Sequence, residues 1–377
     1  MFSLITDNKA LADYCQAVPS GAVLALDTEF IRQSTFWPKL GLVQLFDGEA
    51  LALVDPVAIS DWQPLKQLLA RPDCVKLLHS CTEDLDAFAT IGITEISPLF
   101  DTQLCAELLG WGSSVGYARL VEQLSGQVLD KSESRTDWLA RPLSATQLQY
   151  AANDVFYLHP LYAKLTAQLT DTQLQLMLQE GEQLNRRKRQ QLPLSLRYLE
   201  IKNSWQLSPR ELAVLRTLAA WRQQYAIEKD LALGLIMKDA VILELAKRRP
   251  ATAESLLNIP LMPAREVRRH AKTLVELIAQ AKDIPTSDCP QRFYHTEHFA
   301  GYKETVEQIT ACIKHAAAEL AIPAEFLSVK RQLNEYINWC WRVSDTERSL
   351  LPTPEYLQGW RRQLLFPYLP KPQHIAF

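Results

Sequence analysis

The sequence predicts an α/β domain over the first 170 residues and an all-helical region after it. The chain has 377 residues, of which 47% are hydrophobic and 22% are charged, so it is long enough for two or three globular domains. Up to residue 170, short apolar runs such as "AVLAL", "GLVQLF" and "VKLLH" alternate with segments of helical period, which is the α/β pattern. After residue 200 the strand-like runs end and the helical period continues.

Local signals support these elements in chain order. Residues 41–56, "GLVQLFDGEALALVDP", predict a β-hairpin in which "DG" forms the turn. Residues 185–200, "NRRKRQQLPLSLRYLE", contain four consecutive basic residues and then a proline, which we interpret as a linker region at the end of a long helix. The next helix begins with Ser208 as N-cap, Pro209 at its first position and Glu211 at the capping-box position.

The helical half contains a loose internal repeat. "EKDLALGLIMKDAVILELAKRRP" and "REVRRHAKTLVELIAQA" are echoed by "AELAIPAEFLSVKRQLNEYINWCWR" and "PEYLQGWRRQLLFPYL". In both copies a short apolar loop leads into a helix, and a last helix follows a loop that contains proline. The repeat predicts two small helical modules in tandem.

Composition and charge exclude several classes of protein. The N-terminal segment lacks a basic stretch followed by an apolar core, and no apolar run reaches the ~18 residues that span a bilayer, so we expect a cytoplasmic protein without membrane contact. The seven cysteines are scattered and contain no C-x-x-C pair, which predicts reduced packing residues. Residues 1–170 carry a net charge of −9 and residues 171–377 carry +6. The acidic half suits cation binding and the basic half suits phosphate binding, although solvated faces of different composition give the same numbers.

Two carboxylates follow the apolar run in "VLALDTEF". On a strand, Asp27 and Glu29 point to one face and Thr28 points to the other. Adjacent carboxylates repel each other and lose hydration, so a divalent cation with its preference for oxygen ligands would stabilise them. A strand that ends at residue 26, with both acids in solvent, is the alternative.

Two further segments carry acids. "VKLLHSCTEDLDAF" leads from a predicted strand into a helix with Glu83, Asp84 and Asp86 near its start, where acids commonly complement the helix dipole. In "QLQYAANDVFYL", Tyr150 and Asp154 are four residues apart and therefore lie on one helical face. They could present a hydroxyl and a carboxylate to a common point, or Tyr150 could be a core aromatic residue.

The motifs "DTEF", "HSCTEDLDAF" and "YAANDVFYL" resemble, in order and spacing, the three exonuclease motifs of the DEDD superfamily in its tyrosine subgroup. "PKLGLVQLFDG", "FDTQLCAELLG" and "LDKSESRTDWLARPLS" resemble the bacterial ribonuclease D family, and the helical half resembles two HRDC modules. The resemblance implies an α/β ribonuclease H-like exonuclease domain over residues 1–195, with a mixed sheet flanked by helices. Two small all-α HRDC-like domains would follow over residues 205–290 and, in degenerate form, 291–377.

The resemblance also implies roles for five residues and two Mg²⁺ or Mn²⁺ ions. Asp27 matches the acid that contacts both ions, and Glu29 and Asp154 match ligands of the first. Asp84 matches the acid that holds the second ion, largely through water, because the family motif places this acid directly before a leucine. Tyr150 matches the residue that orients the attacking water, and its ordinary pKa near 10 makes it a poor general base.

Further substrate contacts are implied less directly. Thr28 and Phe30 flank the acids and are candidates for contact with the terminal nucleotide, although core packing is the favoured interpretation of Phe30. His79 could meet a phosphate or a ribose, or be a structural histidine. Asp101 is expected to cap a helix N-terminus.

The segment "DKSESRTDWLARP" carries basic and aromatic side chains before the tyrosine helix. They could bind the RNA end or order the loop; they are Lys131, Arg135, Trp138 and Arg141.

The expected function is that of a 3′–5′ exoribonuclease that trims the 3′ ends of tRNA precursors and other small structured RNAs and releases nucleoside 5′-monophosphates. A monomer would bind the single-stranded 3′ tail in the α/β domain and the folded RNA on the helical modules. The helical modules carry a cluster of basic residues around "NIPLMPA": Arg248, Arg249, Arg265, Arg268, Arg269 and Lys272. A 3′–5′ DNA exonuclease and a nucleic-acid-binding adaptor with an inactive nuclease site are the alternatives.

Overall fold

A computed structural model of the chain describes residues 2–130, 132–292, 297, 300–341, 343, 348–366 and 369. Its strands within these residues form one sheet in the order β1-β4-β3-β2-β5-β6. They are β1 Ser3–Ile5, β2 Val23–Ile31, β3 Lys39–Phe46, β4 Leu51–Val54, β5 Val75–Leu78 and β6 Leu99–Asp101. β3 is antiparallel to β2 and β4, whereas the other neighbours are parallel, which confirms the predicted mixed sheet.

The hairpin between β3 and β4 forms as the sequence predicts. The Asp47 carboxylate accepts hydrogen bonds from the backbone N–H groups of Glu49 and Ala50. Gly48 has φ +100°, a conformation that side chains disfavour, so the "DG" pair provides what this turn requires.

Helices cover both faces of the sheet. They are α1 Asn8–Ala17, α2 Gln63–Leu69, α3 Thr82–Ala89, α4 Thr102–Leu108, α5 Tyr117–Ser125, α6 Ala145–Phe156, α7 Leu158–Thr166 and α8 Asp171–Arg189. On one face, Leu24 and Leu26 of β2 pack in a core with residues of α1, α2 and α3. On the other face, Ala25 packs in a second core with residues of α4, α5, α6 and α7. Because side chains alternate between the two faces of a strand, Asp27 and Glu29 project to the same face of the sheet as Ala25.

The four basic residues of the expected linker lie in the last turn of α8, where cations complement the helix dipole. The first helical module follows, with its own apolar core. Its α-helices are α9 Pro209–Lys229, α10 Leu233–Ile236, α11 Asp239–Arg248, α12 Ala253–Leu256 and α13 Ala264–Asp283. The capping box of Ser208 and Glu211 and the proline in the first turn of α9 are present as predicted.

The second helical module contains α14 Tyr302–Glu319, α15 Ala324–Leu327, α16 Lys330–Trp341 and α17 Gly359–Leu365 among its described residues. Its apolar side chains, such as Ile309 and Trp360, belong to the same core as Phe100 of the sheet. The chain thus has the predicted α/β domain and two helical modules, while the exact bounds 195, 205 and 290 stay predictions.

A buried ionic network also joins the second module to α8. Glu180 of α8 accepts hydrogen bonds from Arg361 and from Trp360 Nε1, the latter at 2.9 Å. Arg187 bridges Glu180 and Glu355 at 3.3 and 3.1 Å. Glu180, Glu355 and Arg361 are at most 5% exposed, so this module is docked tightly on the α/β domain.

The predictions about cysteines and membrane spans concern the whole chain. All seven cysteines are free, and all but Cys312 are buried. None of the described helices has the length and apolar character that crossing a bilayer requires.

Candidate active site

The site is built on the C-terminal half of β2. Asp27 lies opposite Gln44 of β3, and Glu29 lies opposite Leu42. Both acids are half-buried on the face covered by α6, and the register shifts directly after Glu29, between Glu29 and Phe30. The strand continues to residue 31 rather than ending at residue 26, so the acids are part of the sheet and not a solvated strand end.

Helix α6 brings the third motif to these acids. Its N-terminus is fixed by a capping box between Ser144 and Gln147, and it packs against β2 and β3. Asp154 on this helix lies close to the strand acids: one carboxylate oxygen each of Asp27, Glu29 and Asp154 lies within 4.8 Å of the other two. Tyr150, one turn earlier, lies on the same helical face, and its hydroxyl is close enough to Asp154 to lower the pKa of that carboxyl group.

Asp84 enters from the opposite side of β2. It lies in the first turn of α3 and is 7% exposed. The Thr28 hydroxyl donates a hydrogen bond of 2.5 Å to Asp84 Oδ1. Asp86 instead pairs with Arg32 at 3.1 Å and Lys188 at 2.9 Å, so of these two acids Asp84 is the one that contacts the site strand.

Burial and mutual repulsion raise the pKa of all four acids. Burial is the largest cause in each case and raises the pKa of Glu29 to about 9, of Asp154 to about 7 and of Asp84 to about 6. The pKa of Asp27 also lies well above its ordinary value, through burial and then through the charges of Asp84, Asp154 and Glu29. Hard oxygen donors that are crowded in this way fit divalent cations such as Mg²⁺ or Mn²⁺, which would remove the repulsion.

Two tyrosines border the acids. Burial and then the charge of Asp154 raise the pKa of Tyr150, so its hydroxyl stays protonated at neutral pH. Tyr117 was missed by sequence reasoning. Its hydroxyl donates a 2.8 Å hydrogen bond to the Asn153 carbonyl oxygen, and its pKa is raised by burial, Asp154 and Asp27. A single tyrosine at a helix start carries no motif, so only the tertiary packing reveals this position.

The residues expected to contact substrate lie in different environments. Thr28 is 5% exposed and bonded to Asp84, while Phe30 is half-buried beside the register shift. His79 Nδ1 lies 2.9 Å from Thr102 Oγ1, and its ring packs 5.5 Å from that of Tyr117. His79 is thus held by contacts within the fold, and its ring lies against that of Tyr117.

The loop before α6 is fixed to the sheet. Arg141 forms a bidentate ion pair with Asp55, in which both N–O distances are 2.7 Å, and donates a hydrogen bond to the Gly41 carbonyl oxygen. Trp138 is 2% exposed, and a Cβ on Gly41 would lie 2.7 Å from its carbonyl oxygen, so this close approach requires glycine. For Arg141 and Trp138 the placement favours an ordering role. Arg135 is exposed, and the expectation for Lys131 lies outside the described residues.

Asp101 caps α4 as predicted. Its carboxylate accepts hydrogen bonds from Gln103 N and Leu104 N, and also from Ser80 N and Cys81 N. It therefore fixes the chain that leads into α3 and Asp84.

Comparison with known proteins identifies the parts of this arrangement. A 3′–5′ exonuclease family matches residues 2–170, the HRDC domain matches residues 211–278, and the C-terminal HRDC domain of ribonuclease D matches residues 300–369. Ribonuclease D of Shewanella sp. is 40% identical over 97% of this chain and 92% of its own length. Ribonuclease D of Escherichia coli is also 40% identical, over 97% of this chain and 96% of its own length.

Comparison with solved structures agrees with these sequence matches. The crystal structure of Escherichia coli RNase D, described as an exoribonuclease involved in structured RNA processing, has a TM-score of 0.88 and 38% identity. It covers 98% of this chain, and this chain covers 97% of it. A protein from Bifidobacterium adolescentis shares the fold over 97% of this chain, at a TM-score of 0.68 and 24% identity.

The fold and the site together define a 3′–5′ exonuclease that carries two HRDC domains. With 40% identity over nearly the whole length of both chains, this protein belongs to the ribonuclease D family and is an exoribonuclease of that type.

Proposed function

We propose that this enzyme trims the 3′ ends of tRNA precursors and other small structured RNAs, one nucleotide at a time, and releases nucleoside 5′-monophosphates. The observation that carries the proposal is the meeting of Asp27 and Glu29 of β2 with Asp154, which is more than 100 residues later in the chain: one carboxylate oxygen of each lies within 4.8 Å of the other two, and Tyr150 lies beside Asp154. Asp84 lies on the other side of the same strand.

The acids would hold two divalent ions, Mg²⁺ or Mn²⁺. Asp27 would contact both, Glu29 and Asp154 would complete the first site, and Asp84 would hold the second, largely through water. When bound, such ions lower the pKa of a water molecule and stabilise the leaving oxygen of a phosphodiester. The raised pKa values of the four acids support this assignment, because a cation is what would restore their ionised state.

Tyr150 would orient the attacking water. Its hydroxyl stays protonated because its pKa is raised by burial, so it serves as a hydrogen-bond partner and not as a base. Asp154 fixes this hydroxyl from one side, and the Trp138 ring packs with its centroid 6.1 Å from that of Tyr150. Trp138 would therefore act on the reaction through Tyr150.

The terminal nucleotide would lie beside Thr28 and Phe30, next to the acids. Arg135, which is exposed, would contact the RNA backbone near the 3′ end, and Lys131 stays a candidate from its sequence alone. His79 would act indirectly, through Tyr117. On the first module, exposed Arg268, Arg269 and Lys272 of α13 would bind phosphates of the folded RNA. We propose a monomer as the working unit.

The test uses a tRNA with extra 3′ nucleotides and a matched pair of single-stranded RNA and DNA oligonucleotides. Wild type and Asp27→Ala are incubated with each in Mg²⁺, and products are resolved to single nucleotides. We expect stepwise loss from the RNA 3′ ends with release of 5′-monophosphates, and no products from Asp27→Ala. Equal rates on DNA would contradict RNA as the preferred substrate, because only RNA offers the 2′-hydroxyl.

A further inference from the structure

Gln44 occupies the middle of β3 directly opposite Asp27. Its side chain is 0% exposed, and neither its amide nitrogen nor its amide oxygen has a hydrogen-bond partner among the described residues. Residues directly opposite each other in an antiparallel pair project to the same face, with Cβ atoms ~5 Å apart. The amide of Gln44 therefore lies on the face that carries the acids of the site.

The neighbours of Gln44 on this face are known from the register. Across the sheet they are Asp27 on β2 and Leu53 on β4, and along β3 they are Leu42 and Phe46. Of these four, Asp27 alone carries a polar side chain, and the other three are at most 6% exposed. Among these neighbours in the sheet, Asp27 is thus the hydrogen-bond acceptor for this amide.

An unpaired buried amide is unfavourable. Its burial costs roughly 1–3 kcal/mol when no hydrogen bond compensates, and the large majority of buried polar side-chain atoms in proteins are paired. An apolar residue of the same length would fit this core without that cost. A glutamine at this position therefore suggests a task that needs its N–H groups.

We propose that Gln44 is a positioning residue for Asp27, to which its amide nitrogen donates a hydrogen bond when divalent ions are bound at the site. The inference rests on the proposed ion ligands. An ionised carboxylate has about four lone-pair positions, so Asp27 can contact ions and still accept this bond. Hydrogen bonds of this kind fix the orientation of a metal-binding carboxylate and strengthen its binding. Gln44 touches neither substrate nor ion, and it acts only through Asp27.

The test separates positioning from packing. Gln44→Met keeps the length of the side chain and removes the amide. We expect Mn²⁺ affinity, measured by calorimetric titration of the full chain well below its unfolding temperature, to fall roughly 10- to 100-fold. The unfolding temperature in EDTA should stay equal to that of wild type or rise, because a buried unpaired amide is lost. Gln44→Leu repeats the measurement with a second apolar side chain should Gln44→Met not fold.

Gln332→Met is the matched control. Gln332 is 5% exposed, but its amide nitrogen donates a 2.5 Å hydrogen bond to Glu355 within the second helical module. Its variant should lose thermal stability in EDTA and bind Mn²⁺ as wild type does.

Asp27→Asn distinguishes failure of the inference from failure of the proposed site. If Gln44→Met binds Mn²⁺ with wild-type affinity while Asp27→Asn loses binding, the role of Gln44 is overturned. The proposed ion site is then still supported. Unchanged binding in Asp27→Asn would instead overturn the ion site itself, and the role of Gln44 with it.

Discussion

In the proposed mechanism the Tyr150 hydroxyl orients the attacking water and does not bind the ions. We expect Tyr150→Phe to lower kcat by roughly 10²-fold or more, because the attacking water loses its hydrogen-bond partner. Mn²⁺ affinity should stay close to that of wild type, because Asp27, Glu29 and Asp154 are unchanged. Single-turnover kinetics and calorimetric titration provide the two readouts. Comparable loss of Mn²⁺ binding would mean that the tyrosine is a ligand or a structural support.

The acids of the site should also make stability depend on pH in EDTA. A carboxyl group with a raised pKa holds a proton in the folded state that it loses in the unfolded state, so stability falls as pH rises toward the folded pKa. Between pH 7 and 8 this applies to Glu29, whose pKa is about 9, and the raised pKa of Asp27 acts in the same direction. The free energy of unfolding falls by about 1.4 kcal/mol per pH unit for each such proton.

Between pH 7 and 8, groups that would make stability rise with pH contribute little. The pKa of the half-buried His79 is lowered, so this group makes stability rise with pH only up to its unfolded pKa near 6.5. The pKa of Lys76 is lowered to about 8 by burial, so this group makes stability rise mainly above pH 8. The double variant Asp27→Asn/Glu29→Gln should be more stable than wild type in EDTA and lack most of the slope. Urea unfolding at pH 7 and pH 8 measures both. A wild-type stability that rises across this interval would contradict the raised pKa values.

A site residue could be found from the sequence when its signal lies in a short stretch of neighbouring residues. Asp27, Glu29, Tyr150 and Asp154 lie in short motifs with strand or helix spacing, so their faces were predictable. The choice of Asp84 over Asp86 followed from the leucine after it and agrees with the contact between Asp84 and Thr28.

Gln44, by contrast, reads as one polar residue in an apolar strand, and its position opposite Asp27 depends on the hairpin register. Tyr117 and the burial of Trp138 likewise depend on which helices meet in space, which no local spacing encodes.

At the scale of elements, helix α13 offers a test of RNA binding. Replacing exposed Arg268, Arg269 and Lys272 by alanine should raise KM for a structured RNA and leave kcat on a short single strand unchanged. The slope of the logarithm of affinity against the logarithm of salt concentration should become shallower by about 2–3, because three phosphate contacts are lost. Filter binding over a salt series and steady-state kinetics measure these effects.

The matched control replaces three exposed lysines of the second module, Lys303, Lys314 and Lys330, by alanine. Equal effects in the two triple variants would show a general charge effect and contradict a specific role for α13.

At the scale of the whole molecule, the second helical module is part of the nuclease fold. Because it shares an apolar core with the sheet domain, deletion of residues 205–377 would expose that core as well as remove RNA contacts. Substitutions such as those on α13 are therefore the sharper test of RNA affinity. The shared core was not predictable from the repeat, which indicates two similar modules and says nothing about where each one docks.

The buried network should be essential to this docking. Arg361→Ala leaves Glu180 without one of its cationic partners and should lower the free energy of unfolding by roughly 3–5 kcal/mol. Glu180→Gln/Arg361→Met, which removes both charges, should recover much of that loss. Urea unfolding followed by tryptophan fluorescence measures both variants. A double variant less stable than Arg361→Ala would contradict an uncompensated charge as the cause.

The central claim, that Asp27 joins two ion sites beside Tyr150, is tested most directly by a crystal structure with Mn²⁺ and anomalous scattering. We predict two anomalous peaks ~4 Å apart, with Asp27 bound to both, Glu29 and Asp154 bound to one, and Asp84 nearest the other. A single ion that Asp27 does not contact, or no ion at these acids, would contradict the account.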